Sequence, residues 1–105
     1  MKCVLCIEYR SPKDEARGKQ LLDLQKKLEG KQKEWTKAGL ISPDVAMWAD
    51  NTGRIMYWFP FESMEKFAKF YGNMEVQKLM AISSGLLDDI SIRLLRPGIA
   101  FRDLE

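Results

Sequence analysis

The sequence predicts an α+β fold in which a four-stranded antiparallel sheet carries helices on one of its faces. Two observations lead to this prediction. The chain has 105 residues, 46% hydrophobic and 30% charged, which suffices for one folded core but leaves no room for a second. Its strand-like and helix-like segments follow the order β-α-β-β-α-β, which normally gives a sheet with the spatial order 4-1-3-2. Residues 1–105 are therefore expected to form a single domain.

The first half of this order comes from a strand at residues 2–10 and a long helix. Ser11-Pro12 ends the strand, and Pro12 is expected at the first helical position. From Lys13 to about Ala38, apolar residues recur at the helical period in an otherwise charged segment, and Gly39 is a natural stop. These apolar residues are Leu21, Leu24, Leu28, Trp35 and Ala38.

The second half contains a hairpin, a helical region and a last strand. Residues 50–54, Asp-Asn-Thr-Gly-Arg, separate two apolar runs and predict a turn in which Gly53 takes the left-handed position. That turn pairs Trp48 with Met56 and Ala46 with Trp58. Ser63 is expected to cap a helix that is interrupted at Gly72-Asn73 and continues to Gly85; a strand then follows at Ile90–Leu95.

The strands of this fold are apolar on both faces, whereas the helices can cover only one. Side chains alternate between the two faces along each strand. Those expected on the helix side are Leu5, Ile7, Val45, Met47, Ile55, Tyr57, Ile92 and Leu94. The opposite side receives Val4, Cys6, Glu8, Ala46, Trp48, Met56, Trp58, Arg93 and Leu95. An open face with two tryptophans predicts a homodimer, or a higher homo-oligomer, that packs sheet against sheet and encloses a cavity between the sheets.

Several segments together resemble the dimeric α+β barrel superfamily, and within it the small proteins similar to muconolactone isomerase. These segments are the long first helix ending in EWTKAGLI, the strand pair around Trp48, FPFESMEKFAKF, and the closing DDISIRLLRP. The resemblance covers Met1 to about Pro97 and implies a ferredoxin-like fold. Families of this fold include cofactor-independent monooxygenases, isomerases, haem-degrading enzymes and cyclases, so the resemblance implies no particular activity.

The charge balance and the absence of histidine narrow the functional classes. Lys plus Arg number 17 against 15 Asp plus Glu, and the formal charge of +2 is too small to predict a nucleic-acid or anionic-membrane partner. The chain has no histidine, the commonest metal ligand and general base near neutral pH. We therefore expect no metal site and no resident cofactor. With no secretory signal and no apolar run of about 20 residues, we expect a cytoplasmic protein.

Cys3 and Cys6 have the CxxC spacing of metal and redox motifs. In a strand, however, the two side chains point to opposite faces with Cα atoms about 10 Å apart, beyond the roughly 7 Å limit for a disulfide. We interpret both as small buried side chains, and only Cys6 would face the cavity.

Glu8 and Arg93 are the candidate catalytic residues, since they share a face on neighbouring strands. Arg93 could bind a carboxylate or another polar substrate, and Glu8 could act as a general base whose pKa burial raises and Arg93 lowers. The alternative is an ion pair at the rim that contributes little.

Trp48, Met56 and Trp58 form the candidate ligand-binding wall on the same face. Two indoles and a thioether suit an aromatic or other planar ligand, and they suit a dimer core equally well. The sequence therefore predicts a cytosolic homodimer that binds a small apolar or aromatic compound, as a cofactor-independent isomerase or monooxygenase if it is an enzyme. The alternative is a non-catalytic structural or regulatory dimerisation module.

Overall fold

The computed structural model describes residues 2–98, which form four strands and three helices. In chain order these are β1 (Cys3–Arg10), α1 (Glu15–Lys37), β2 (Ala46–Ala49), β3 (Ile55–Phe61), α2 (Met64–Tyr71), α3 (Met74–Leu86) and β4 (Asp88–Leu95). The β-α-β-β-α-β order is confirmed, with the second helical region divided into α2 and α3 at Gly72-Asn73.

The strands form one antiparallel sheet with the order β2-β3-β1-β4, which is the predicted order. The hairpin register is also as predicted, because Trp48 pairs with Met56 and Ala46 with Trp58. In the turn, the Asp50 N–H donates to the Arg54 carbonyl at 3.0 Å, and Gly53 has a φ of 84°. Only glycine adopts that left-handed backbone without steric cost, which explains why the turn forms at this position.

Helix α1 begins later than the sequence pattern predicts. Its N-cap is Asp14, whose side chain accepts a hydrogen bond from the Arg17 N–H, so Pro12 precedes the helix instead of starting it. The helix ends where expected, before Gly39 with a φ of 75°. No helix within residues 2–98 is both long enough and apolar enough to cross a membrane.

Side-chain caps also set the boundaries of α2 and α3. Ser63 accepts from the Lys66 N–H at 3.2 Å, as predicted, and so starts α2. Asn73 accepts from the N–H groups of Glu75 and Val76 and so starts α3 only three residues after α2 ends. Each cap satisfies amide groups that the first helical turn leaves without partners.

The core lies between the helices and one face of the sheet. Leu5 of β1 and Val76 of α3 are each 1% exposed, and aromatic rings fill the space around them. Phe70 contacts Trp35 edge to face at a centroid distance of 5.7 Å and stacks on Phe59 at 5.9 Å. These contacts join aromatic side chains from α1, α2 and β3 into one cluster.

We expect the Leu5→Ala substitution to lower the free energy of unfolding by about 2–5 kcal/mol, since it removes a side chain that is 1% exposed from the centre of the core. The control is Leu22→Ala on α1, where the side chain is 61% exposed and the change should stay within about 0.5 kcal/mol. Urea unfolding at one fixed protein concentration measures both. Equal losses in the two variants would contradict this assignment of the core.

Candidate functional site

A cavity of about 340 Å³ lies between the sheet and the helices α1 and α3. Its floor comes from all four strands, and its walls come from α1 and α3 together with Phe70 of α2. The lining is mainly aliphatic and aromatic, with Ile7, Leu28, Trp35, Phe59, Phe70 and Leu79 among its residues. The volume falls in the range of about 300–1,000 Å³ found for small-molecule sites.

Helix α1 is attached to the rest of the domain near both of its ends. Near its C-terminal end, the Trp35 indole N–H donates to Glu75 Oε1 at 3.3 Å, and Lys31 Nζ donates to Glu75 Oε2 at 3.2 Å. Near its N-terminal end, an Arg17 guanidinium nitrogen lies 2.8 Å from Asp88 Oδ1 at the start of β4. The hydrogen bond from Lys31 lowers the pKa of Glu75, so this carboxylate stays ionised near neutral pH. The middle of α1 spans the cavity between these two attachments.

The polar groups of the cavity come from two tyrosines, from α1 and from Ser83 of α3. Tyr9 and Tyr57 both line the cavity, and their rings stack with a centroid distance of 6.2 Å. Burial raises the pKa of Tyr9, so its hydroxyl stays protonated and can donate a hydrogen bond. Gln25, Glu29 and Gln32 line the side formed by α1. The cavity can therefore hold a flat apolar body and meet a few polar substituents.

The opposite face of the sheet carries a cluster of one carboxylate and two arginines. Arg54 Nε donates to Glu8 Oε2 at 3.1 Å, and Arg93 donates to Glu8 Oε1. The Glu8 side chain is only 16% exposed, whereas that of Arg93 is 55% exposed. Arg54 is the partner that the sequence reasoning missed. The strand register could have indicated this contact, because Arg54 lies two residues before Met56, the cross-strand neighbour of Glu8.

These contacts change the chemistry expected of Glu8. The hydrogen bond from Arg54 lowers the pKa of Glu8, the charge of Arg93 lowers it further, and burial opposes both. From the sequence we expected only burial and Arg93 to act on the pKa of Glu8. Arg54 is a second arginine, and it shifts Glu8 further toward the ionised form. A carboxylate with a lowered pKa and two cationic partners is a weak proton acceptor.

Cys6 is buried on the same face, beneath the cluster. Its thiol lies 3.6 Å from Glu8 Oε1, and burial, followed by the charge of Glu8, raises the pKa of the thiol. Cys3 belongs to the core on the other face, and both cysteines are free thiols. A buried thiol with a raised pKa is a poor nucleophile and a poor metal ligand, which agrees with the structural interpretation of Cys6.

Trp48, Met56 and Trp58 also lie on this helix-free face. The rings of Trp48 and Trp58 are 6.1 Å apart and inclined by 51°, and the two residues are 55% and 42% exposed in the single chain. Met56 is half-buried between strands β1 and β2. The exposed apolar face that the strand pattern predicts is therefore present.

The structure thus separates the predicted site residues from the cavity. Cys6, Glu8, Trp48, Met56, Trp58 and Arg93 share the helix-free face, whereas the cavity within the chain lies on the helix side. A chamber between two packed sheets stays a prediction. The cavity on the helix side was missed because strand alternation assigned Ile7 and Tyr57 to that side without showing that the layers leave a space there.

A second depression, of about 670 Å³, lies at the other end of the domain, between the loop after α1 and the start of α2. Exposed charged side chains contribute to it, including Lys66, whose ammonium lies 2.7 Å from Glu62. Its lining is more polar than that of the cavity beside Tyr9. Among residues 2–98, no three side chains of the types that commonly bind metal ions are grouped together.

The effect of Glu8 on stability should depend on pH with a defined sign. Because its pKa is lowered in the folded state, its stabilising contribution is present above the unfolded pKa of about 4.3 and disappears as the pH falls through the folded value. We therefore expect Glu8→Gln to be less stable than the unsubstituted chain at pH 6–7, with the difference shrinking below about pH 4. Urea unfolding between pH 3 and 7 measures this difference. A gap that does not change with pH would contradict the ionised cluster.

Comparison with known proteins identifies the fold. No protein-family model and no curated protein matches the chain. Among solved structures, Rv0793 of Mycobacterium tuberculosis superposes with a TM-score of 0.67 at 12% identity, covering 96% of this chain and 99% of that chain. A candidate antibiotic biosynthesis monooxygenase from Deinococcus radiodurans gives 0.60 at 12% identity, covering 96% of each chain.

A NIPSNAP family protein from Agrobacterium tumefaciens also superposes, with a TM-score of 0.56 at 16% identity, covering 93% of this chain and 94% of that chain. Identities this low establish the fold and leave activity to be argued from the site. The protein therefore has the ferredoxin-like α+β fold that the resemblance to the dimeric α+β barrel superfamily implied.

Proposed function

We propose that this protein binds a small, planar, largely apolar molecule in the cavity between the sheet and helices α1 and α3. The observation that carries the proposal is the cavity of about 340 Å³ itself, which has aromatic walls and a few polar groups. Apolar pockets with a small number of oriented polar atoms are typical of small-molecule sites.

The lining suggests how such a molecule would be held. Trp35, Phe59 and Phe70 offer ring faces and edges to an aromatic body. The hydroxyls of Tyr9 and Tyr57 can donate hydrogen bonds to a carbonyl or hydroxyl oxygen of the ligand. Because these donors sit on two central strands, their positions are set by the sheet.

The reaction class is supported only at the level of the fold. A structure named as a candidate antibiotic biosynthesis monooxygenase shares this fold, which supports oxidation of the bound compound, and the resemblance to muconolactone-isomerase-like proteins supports isomerisation. The assignment of Glu8 as base and Arg93 as anion clamp stays a prediction. The lowered pKa of Glu8 favours the alternative, in which these two residues form a structural ion pair.

We propose further that a second copy of the chain packs on the helix-free face. Trp48 and Trp58 are both more than two-fifths exposed there, and aromatic side chains of this size are typical of interface centres. The same observation favours the second candidate function, a non-catalytic dimerisation module. Binding of a ligand in the cavity distinguishes the two. A cytoplasmic location remains part of the proposal.

Filling the cavity should abolish ligand binding. The neutral fluorophore N-phenyl-1-naphthylamine is a suitable probe, and we expect Ser83→Phe to weaken its binding at least about tenfold, because Ser83 lines the cavity. Ser84→Phe is the matched control: both hydroxyls donate to the carbonyl four residues earlier on α3, and Ser84 is exposed outside the lining. Fluorescence titration measures the affinities, and circular dichroism checks the fold.

The same titration distinguishes the two candidate sites. If the probe binds in the cavity, Glu8→Gln and Arg93→Met leave its affinity unchanged. Weakened binding in these two variants, with unchanged binding in Ser83→Phe, would place the ligand on the helix-free face instead.

The proposed dimer should depend on the tryptophan face. We expect the unsubstituted chain to sediment as a dimer and Trp48→Lys to shift the equilibrium toward the monomer by at least about tenfold, since it places a charge in an apolar interface. Leu22→Lys, at a similarly exposed position on α1, is the control and should leave the dimer intact. Sedimentation velocity over a range of concentrations measures the constants. A monomeric unsubstituted chain at high concentration would refute the proposal.

A further inference from the structure

We propose that the cavity selects neutral and positively charged aromatic compounds over their carboxylate analogues, and that Glu29 is the residue that sets this selectivity. This inference rests on the proposed function, because it specifies the charge of the ligand that the cavity accepts. It assigns a role in specificity to a residue on the middle of α1.

Glu29 lies on the face of α1 that lines the cavity. Helix α1 contributes a single stripe to the cavity, at the spacing of one helix face, which consists of Leu21, Gln25, Leu28, Glu29, Gln32 and Trp35. Glu29 is thus flanked by Gln25 one turn before it and by Gln32 one turn after it. Among the described residues that line the cavity, Glu29 alone carries a formal charge near neutral pH.

The aromatic lining favours the same kinds of ligand as the carboxylate of Glu29 does. Trp35, Tyr9 and Tyr57 also line the cavity, and the face of an aromatic ring attracts a cation and repels an anion. A carboxylate that enters such a cavity loses hydration and meets a negative charge. A neutral amide can instead pair with the side-chain amides of Gln25 and Gln32, which both donate and accept.

Nearby lysines reduce the influence of the Glu29 charge on ligand affinity but do not reverse its sign. Lys26 and Lys33 lie one turn on either side of Glu29, are exposed and are outside the cavity lining. Lys31 is already paired with Glu34 and Glu75. Glu29 is itself exposed to solvent while it lines the cavity, so its charge is screened. We therefore expect Glu29 to change relative affinities by about 3- to 10-fold.

The arginines of the sheet do not offset this preference, because Arg54 and Arg93 lie on the opposite face and share Glu8. A ligand carboxylate in the cavity would be separated from them by the sheet. The structure thus places its cationic cluster and its candidate ligand cavity on different sides of β1.

The test compares three ligands with the same ring system: 2-naphthoate, 2-naphthamide and 2-naphthylmethylamine, which is an ammonium ion at pH 7. Each displaces N-phenyl-1-naphthylamine from the full chain in a fluorescence competition assay. In the unsubstituted protein we expect the amide and the ammonium to bind at least about tenfold more tightly than the carboxylate. In Glu29→Gln, the ratio of ammonium to carboxylate affinity should fall by about 3- to 10-fold, and Glu29→Lys should lower it further.

Asp23→Asn is the matched control, since it removes a carboxylate from the exposed side of the same helix, outside the cavity lining. It should keep the ratios of the unsubstituted protein. Unchanged ratios in both Glu29 variants, or equal shifts in Asp23→Asn, would overturn the role of Glu29. If the fluorophore does not bind the unsubstituted chain, the proposed function falls and this inference with it. If it binds but 2-naphthoate competes as well as the amide, only the inference falls.

Discussion

The antiparallel pairing of β1 with both β3 and β4 is the constraint on which the rest of the structure depends. Because β1 is central and its side chains alternate, each of its residues is assigned to one of two different environments. Ile7 and Tyr9 point toward the helices and form part of the cavity floor. Cys6 and Glu8 point the other way, into the cluster with the two arginines. A shift of one residue in either pairing would exchange these two environments.

Helix α1 covers one side of the cavity and has polar contacts with the rest of the domain near both of its ends. Arg17 reaches Asp88 near one end, and Trp35 and Lys31 share Glu75 near the other. The space opens to solvent, and buried rings such as Trp35, Phe59 and Phe70 border it. An apolar cleft with a few polar groups is typical of a small-molecule site.

The two faces of the sheet suggest a division of roles. The helix side contains an apolar cavity with neutral hydrogen-bonding groups and one carboxylate at Glu29. The other side has an exposed tryptophan pair beside an ion-pair cluster. The apolar rings favour contact with another protein surface, and the cluster around Glu8 can remain paired within such a contact because both its arginines come from the same chain.

Local features were determined by the sequence alone. The hairpin register followed from one glycine that could adopt a positive φ, the start of α2 from a serine cap, and the two sheet faces from strict alternation, since each depends on residues close together in the chain. Local signals were less reliable at Pro12, where two residue types compete to start a helix and the cap at Asp14 prevailed. Tertiary structure decided the rest. The space under α1 depends on how far the helix settles from the sheet, and residue periodicity carries no information about that distance.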